Sequence, residues 1–338
     1  MSVLRHPRQR VIAGFRSILS GDAEGTPDWV LALADGDDAG YFGPGSPVWT
    51  VHGDLATLIG GVRALLMQAL HPAAVTGVDQ HSSYRQDPLG RLSGTNRWLT
   101  TTTFGSRALA DREAARVRGM HRRVVGTYTD AAGRQQPYRA GDERLLAWVH
   151  VAFTDSFLAS HLVFGAPIPG GPDAYVGQWA TAGELLGLST PPRSAADLDV
   201  EIAGFRPELA YTEATGRTLA FLRRPPLPVP AAIGYQVLYA AAVSTLRPEH
   251  RELLRLPPTG HRVAQASGRA LLAGLRSVLG HRPPAAAAAR RRLDRLDPAD
   301  RLDPADRLAP ADRLDPADRL APDGRDGVDD LAGSTEAG

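Results

Sequence analysis

Three apolar segments with helical periodicity, each carrying a histidine, dominate the stretch from Asp54 to Phe164. His71 ends the first segment, His121 lies in the second and His150 in the third. Apolar residues recur at helical spacing in the first two segments and almost all round the third, which is typical of a centrally buried helix. The pattern predicts an all-α fold with these three helices packed together and their histidines near the core.

The first segment begins at Asp54, a plausible N-cap, and ends at His71, because the proline that follows disfavours helical geometry. Gly60 and Gly61 lie inside it and would weaken a solitary helix. They would also let another helix or a flat ligand approach closely, and close packing is the simpler explanation.

The second segment is predicted to run as a helix from near Asp111 to Tyr128. His121 falls on its buried stripe between Val117 and Val124, while Arg and Glu side chains, Glu113 among them, occupy the polar flank. A lone histidine on such a stripe is more often a hydrogen-bonded core residue than a ligand, so the pattern alone leaves both possibilities open.

The third segment begins near Asp142 and contains the most apolar window of the chain, residues 145–164. His150, Asp155 and His161 lie within that window and would be costly in lipid. We therefore expect a buried core helix and no transmembrane segment.

The chain between the first two segments is less regular. The composition of residues 77–96 predicts a loop or short helices, and four consecutive threonines follow from Thr100 to Thr103. The threonine run has β propensity although its neighbours are helical, so its local structure stays open. Further helices are predicted within residues 173–188, 197–224, 231–246 and 261–279.

Both ends of the chain differ in composition from its centre. From Arg295 to Pro322 the chain repeats Arg-Leu-Asp-Pro-Ala-Asp with small variations, and a proline every sixth residue forbids a continuous helix. We predict one domain at residues 1–285 and a disordered tail at 286–338. Residues 1–21 are arginine-rich and lack the apolar core of a secretory signal, so we expect a cytoplasmic protein.

Composition excludes several kinds of chemistry. The chain has no cysteine, and all 38 of its basic side chains apart from histidine are arginine. Thiolate ligands, iron–sulfur clusters, cysteine nucleophiles, lysine Schiff bases and lysine-containing phosphate loops are therefore impossible. A net charge of +1 argues against a nucleic-acid partner.

A metal site built from several side chains is also disfavoured. The His-Glu-x-x-His motif is absent, and His150 and His161 would lie about 16 Å apart on one helix. Haem needs only one neutral imidazole, apolar walls and cationic groups for its propionates. His121, with Arg118 and Arg122 nearby, offers these features, although the motif is weak by itself.

Several short motifs of this chain, taken in order, resemble those of the catalytic domain of the rubber oxygenase (latex-clearing protein) and mpaB-type oxygenase family. The resemblance covers Asp54 to Gly165 directly. It rests on Gly53-Asp54, the helix end Leu65-Leu66-Met67-Gln68-Ala69-Leu70-His71-Pro72, Gly77-Val78, Arg97 with Thr101, His121-x-x-Val124-x-Gly126, and Trp148-Val149-His150.

The resemblance implies a globin-like helical core around haem b, with His121 as the proximal iron ligand. Arg118 and His150 are implied as further cofactor-binding residues. Arg97 and Thr101 are implied as catalytic residues on the open side of the iron, where they could donate hydrogen bonds to dioxygen. Rubber oxygenases carry a lysine three residues after that arginine, and this chain has Thr100 there.

The implied activity is a haem-dependent oxidoreductase, an oxygenase that attacks a carbon–carbon double bond of an apolar small molecule. Two alternatives stay open at this point. One is a haem protein without oxygenase turnover, either peroxidase-like or binding haem or a gas. The other is a helical interaction module without a cofactor.

Overall fold

The computed structural model describes residues 27–81, 88–258, 260–280 and 283–296. Helices dominate this part of the chain, which confirms the predicted all-α class. The helices are α1 (Asp28–Leu31), α2 (Pro47–His52), α3 (Thr57–Gln68), α4 (Pro72–His81), α5 (Pro88–Phe104), α6 (Arg107–His121), α7 (Glu143–Phe164), α8 (Gly171–Leu186), α9 (Ala195–Gly204), α10 (Glu213–Arg223), α11 (Val229–Ser244), α12 (Pro248–Leu253), α13 (His261–Leu279) and α14 (Pro284–Leu293), with single 3-10 turns at Ala32–Ala34 and Arg206–Glu208.

The predicted second helix ends earlier than expected. It stops at His121 as α6, and the chain then forms β1 (Val125–Thr129), paired antiparallel with β2 (Gln135–Arg139). The predicted continuation to Tyr128 is therefore wrong. Residues 124–129 are rich in β-branched and aromatic side chains, which favour a strand, and Gly133 makes the turn at φ +79°.

The segment from Gly77 to Asn96 is more helical than predicted. Helix α4 begins directly after His71, and α5 already includes residues 88–96 and the threonine run in its last turns. Thr100 to Thr103 are all buried. Tertiary packing therefore overrides the β propensity of this run, while residues 82–87 lie outside the described part.

Helices α3 and α7 form the centre of the core. A Cβ atom placed on Gly60 would lie 2.6 Å from Cδ1 of Phe157, whereas one placed on Gly61 would meet nothing within 4 Å. Only glycine fits at position 60 without a shift of its neighbour. The close-packing explanation for this glycine pair is confirmed at Gly60.

A network of ion pairs links α7 to neighbouring elements. Arg63 Nη1 lies 2.6 Å from Asp155 Oδ2, and Arg247 Nη2 lies 3.4 Å from the other carboxylate oxygen. The side chains of Arg63 and Asp155 are 1% and 9% exposed. Burial alone would raise the pKa of Asp155, but the two guanidinium groups outweigh it and hold that pKa below its ordinary value.

Helix α7 is buried as predicted, with both His150 and His161 inside the protein. By length and composition it is the one described helix that could cross a membrane; α3 and α4 would add a second span if their 105° bend were one broken helix. Of the apolar stretch in α7, 67% is buried, and core helices often pass the same test.

The predicted boundary after residue 285 falls inside helix α14. Arg292 on this helix is fully buried and donates hydrogen bonds to the carbonyls of Leu33 at 2.7 Å and Asp38 at 3.0 Å. Residues 284–293 therefore pack onto the N-terminal part of the fold. Residues 1–26 and 297–338, including most of the predicted disordered tail, lie outside the described part.

Candidate functional site

The hairpin of α5 and α6 carries four of the five predicted site residues. Arg97 and Thr101 lie one turn apart on α5, and Arg118 and His121 lie at the end of α6. Arg97 Nε donates to Glu113 Oε2 at 3.0 Å, which joins the two helices. This pair fixes the guanidinium of Arg97 beside α6.

Glu113 is a site residue that the sequence reasoning missed. It was assigned to the polar flank, yet it is 3% exposed. Arg116 Nε also donates to its carboxylate at 3.0 Å, so two guanidinium groups share one buried carboxylate. The spacing of Glu113 in the sequence could have revealed this position, because Glu113, Val117 and His121 follow one another at four-residue intervals along one helix face.

His121 is the last residue of α6 and is only partly buried. The chain turns away immediately after it, with the Val124 N–H donating to the His121 carbonyl at 3.1 Å. The predicted core position between two buried valines is therefore corrected to a helix end, since Val124 is itself only partly buried. A helix-end imidazole can reach a ligand outside the helix bundle.

Arg118, one turn before His121, reaches across to helix α8 and donates to the carbonyl of Leu185. That carbonyl belongs to the last turn of α8, where a cation also interacts favourably with the helix dipole. The contact occupies one of the five N–H donors of the guanidinium. It places the end of α6 against the end of α8.

His150 reaches the same end of α8 from the other side. A Cβ atom on Gly183 would lie 3.2 Å from its Cε1 atom. Burial lowers the pKa of His150 to about 4, so the imidazole is neutral. Its Nε2 atom is buried and lacks a hydrogen-bond partner among the described residues, which is costly unless a further group binds there.

The two threonines after Arg97 differ in their surroundings. Thr101 is 2% exposed, so its hydroxyl lies in the packed part of α5. Thr100, which replaces the lysine of rubber oxygenases, donates within its own helix to Asn96 Oδ1 at 3.3 Å. The hydroxyl of Thr100 is therefore engaged in its helix.

His71 has a structural role at the junction of α3 and α4. Its Nδ1 atom accepts a hydrogen bond from the Ala73 N–H at 3.2 Å, and its Nε2 atom lies 3.5 Å from Glu208 Oε2. It therefore caps the start of the following helix. Burial lowers its pKa despite the nearby Glu208 carboxylate.

The donor set fits haem better than a metal ion held by several side chains. Within the described ranges, no three His, Asp or Glu side chains come together to hold a metal. Haem iron needs one imidazole, and the candidate site offers His121 at the end of α6 and the neutral, buried His150.

A family model described as ER-bound oxygenase mpaB/B'/rubber oxygenase, catalytic domain, matches residues 49–277. The chain belongs to this oxygenase family. The match confirms the resemblance and spans α2 to α13, with all five predicted site residues inside it. Searches of curated proteins and of solved structures gave no match. In this member of the mpaB and rubber oxygenase family, α1 and α14 lie outside the matched region.

Proposed function

We propose that this chain is a haem b-dependent oxygenase that acts with dioxygen on an apolar, alkene-containing small molecule, and that His121 would hold the haem iron. One observation carries the proposal: within the family-matched region, His121 shares a helix face with the carboxylate that positions Arg97. A bound haem supplies an iron centre that activates dioxygen. The protein supplies the imidazole, the nearby donors and the water-excluding walls.

Arg97 acts as a positioned cation in this proposal. Its Nε atom is anchored on Glu113, and the remaining guanidinium N–H groups can donate charge-assisted hydrogen bonds to oxygen atoms. Because the anchor is buried, the guanidinium needs little reorganisation when negative charge develops beside it. Donors arranged in advance in this way are the usual means of stabilising such charge.

Thr101 and His150 have supporting roles. The buried hydroxyl of Thr101 lies one turn from Arg97 and can donate a weaker hydrogen bond. His150 is held neutral by burial and its free Nε2 atom can bind a cofactor edge or a substrate atom. Arg118, close to His121, is suited to a propionate through the donors that Leu185 does not use.

A second candidate function is a haem protein without oxygenase turnover. One observation favours it: the charge of Arg97 is offset by Glu113, which leaves a weaker electrostatic field for oxygen chemistry. The two candidates share the cofactor and differ in oxygen consumption. Oxygen uptake by the haem-loaded protein, with and without apolar alkenes, distinguishes them.

Absorption spectra of the purified full chain test the cofactor and its ligand. We expect a haem Soret band, and a pyridine haemochrome spectrum of the b type. His121→Ala should lose haem or shift the band, whereas His150→Ala, the matched histidine control, should keep the axial ligation. Haem loss in His150→Ala together with an unchanged spectrum in His121→Ala would reverse the ligand assignment.

A further inference from the structure

Another buried histidine, His52, lies at the end of α2 between two hydroxyl groups. Its Nδ1 atom is 2.9 Å from Thr103 Oγ1, and its Nε2 atom is 3.0 Å from the phenol oxygen of Tyr175. The exposed fractions are 7% for His52, 1% for Thr103 and 0% for Tyr175. The three side chains form a linear chain of hydrogen bonds inside the core, with His52 in the middle.

The direction of these hydrogen bonds follows from the threonine. Thr103 Oγ1 donates its only hydrogen to the Leu99 carbonyl at 2.8 Å, because a carbonyl can only accept. Thr103 must therefore accept from His52, which puts the imidazole hydrogen on Nδ1. The Nε2 atom is then an acceptor, and the Tyr175 phenol donates to it.

We propose that Tyr175 and His52 form a redox-active pair that holds a neutral tyrosyl radical. A one-electron oxidant removes an electron from the Tyr175 ring, the phenolic O–H bond breaks, and the proton passes to His52 Nε2. Return of one electron and of that proton restores the phenol. The natural oxidant is the oxygen-activating cofactor, a point that rests on the proposed function.

The hydrogen-bond geometry supports this step. The pKa of Tyr175 is raised well above 10 by burial, so the phenol keeps its proton until an electron leaves. Burial lowers the pKa of His52 to about 3, so the imidazole is neutral at rest and a weak base, and the acidity of the oxidised phenol must drive the transfer. The oxidised phenol is a far stronger acid than the ground-state phenol, so the proton then moves along the existing hydrogen bond.

The surroundings favour a long-lived radical. The ring of Phe157 lies 5.2 Å from the His52 ring and that of Trp179 lies 4.3 Å away. These rings exclude water from the pair. The nearby indole of Trp179 can also be oxidised in place of Tyr175, so the experiment must distinguish a tyrosyl from a tryptophanyl radical.

The full chain allows a test that needs no haem. Since the sequence has no cysteine, Pro172→Cys creates one attachment point for a ruthenium photo-oxidant, at an exposed position one turn from Tyr175. Flash-quench oxidation should give a tyrosyl signal by electron paramagnetic resonance. The signal should narrow when ring-deuterated tyrosine is incorporated and should be lost in Tyr175→Phe.

Two further variants complete the test. The phenol oxygen of the partly buried Tyr239 lacks a hydrogen-bond partner among the described residues, and Tyr239→Phe should leave the signal unchanged. Radical formation should be slower in D2O than in H2O, and His52→Gln should abolish that difference even if it folds normally.

A signal that persists in Tyr175→Phe, or one unaffected by tyrosine deuteration, would overturn the proposal. A wild-type rate equal in H2O and D2O would also overturn it, because the proton would then not move with the electron. Failure of His121 to bind haem would leave all these measurements unchanged, so the two proposals fail separately.

Discussion

Replacing Arg97 by alanine should separate catalysis from cofactor binding. The Arg97 side chain is 42% exposed, and its partner Glu113 keeps a second guanidinium from Arg116. Loss of such a half-exposed ion pair costs only ~0–1 kcal/mol of stability. Arg97→Ala should therefore fold normally and keep the haem spectrum of the parent.

Turnover should fall much more than stability. Removing a donor that is arranged in advance for developing negative charge costs about 2.7–4 kcal/mol, or at least about a hundredfold in rate. Oxygen uptake with a panel of apolar alkenes, expressed per haem, measures this loss. Arg116→Ala is the matched control, because it removes an ion pair with the same carboxylate and leaves Arg97 in place.

Two results would refute the role given to Arg97. Parental oxygen uptake per haem in Arg97→Ala would show that the guanidinium does not act on oxygen. Purification of the variant with little haem, and with normal activity for the haem it retains, would instead identify Arg97 as a propionate partner. The ratio of haem content to activity per haem decides between these roles.

Three further predictions concern stability. Arg292→Met should lower the free energy of unfolding by ~1–3 kcal/mol, because the buried Leu33 carbonyl would be left without its donor, whereas Arg291→Met on the exposed side should change it little; denaturant titration measures both. Gly60→Ala should destabilise the fold by ~1–3 kcal/mol through overpacking, while Gly61→Ala should be neutral or stabilising, as differential scanning calorimetry would show. Because the pKa of His150 is lowered to about 4, the free energy of unfolding should fall by ~1.4 kcal/mol per pH unit as the pH decreases from about 6.5 towards 4. This dependence of stability on pH should be weaker in His150→Gln.

The first and third histidine-bearing segments were predictable because helical periodicity and strong end signals agree there. His71 ends its segment before a proline, and α7 is apolar almost all round, so both helices appear where expected. Local signals also located α13, from His261 to Leu279. These features depend on residues close together in the chain.

The errors arose where distant contacts decide the structure. Helix α14 is too short and too alanine-rich to show a long amphipathic pattern, and its anchor Arg292 binds carbonyls some 250 residues away. Glu113 looked like a solvent-exposed charge until Arg97 was seen to approach it. His52 has no helical stripe of its own, and its partners Thr103 and Tyr175 lie on two other helices.

The trio of Arg63, Asp155 and Arg247, of which the first two are buried, constrains how this sequence can change during evolution. Replacement of one buried partner leaves an uncompensated charge and costs about 3–5 kcal/mol, whereas replacement of the whole network by apolar side chains is often neutral or stabilising. Single substitutions therefore face a barrier that joint substitutions avoid. We expect family members to keep the trio or lose it as a unit, and an alignment showing frequent loss of one member alone would contradict this.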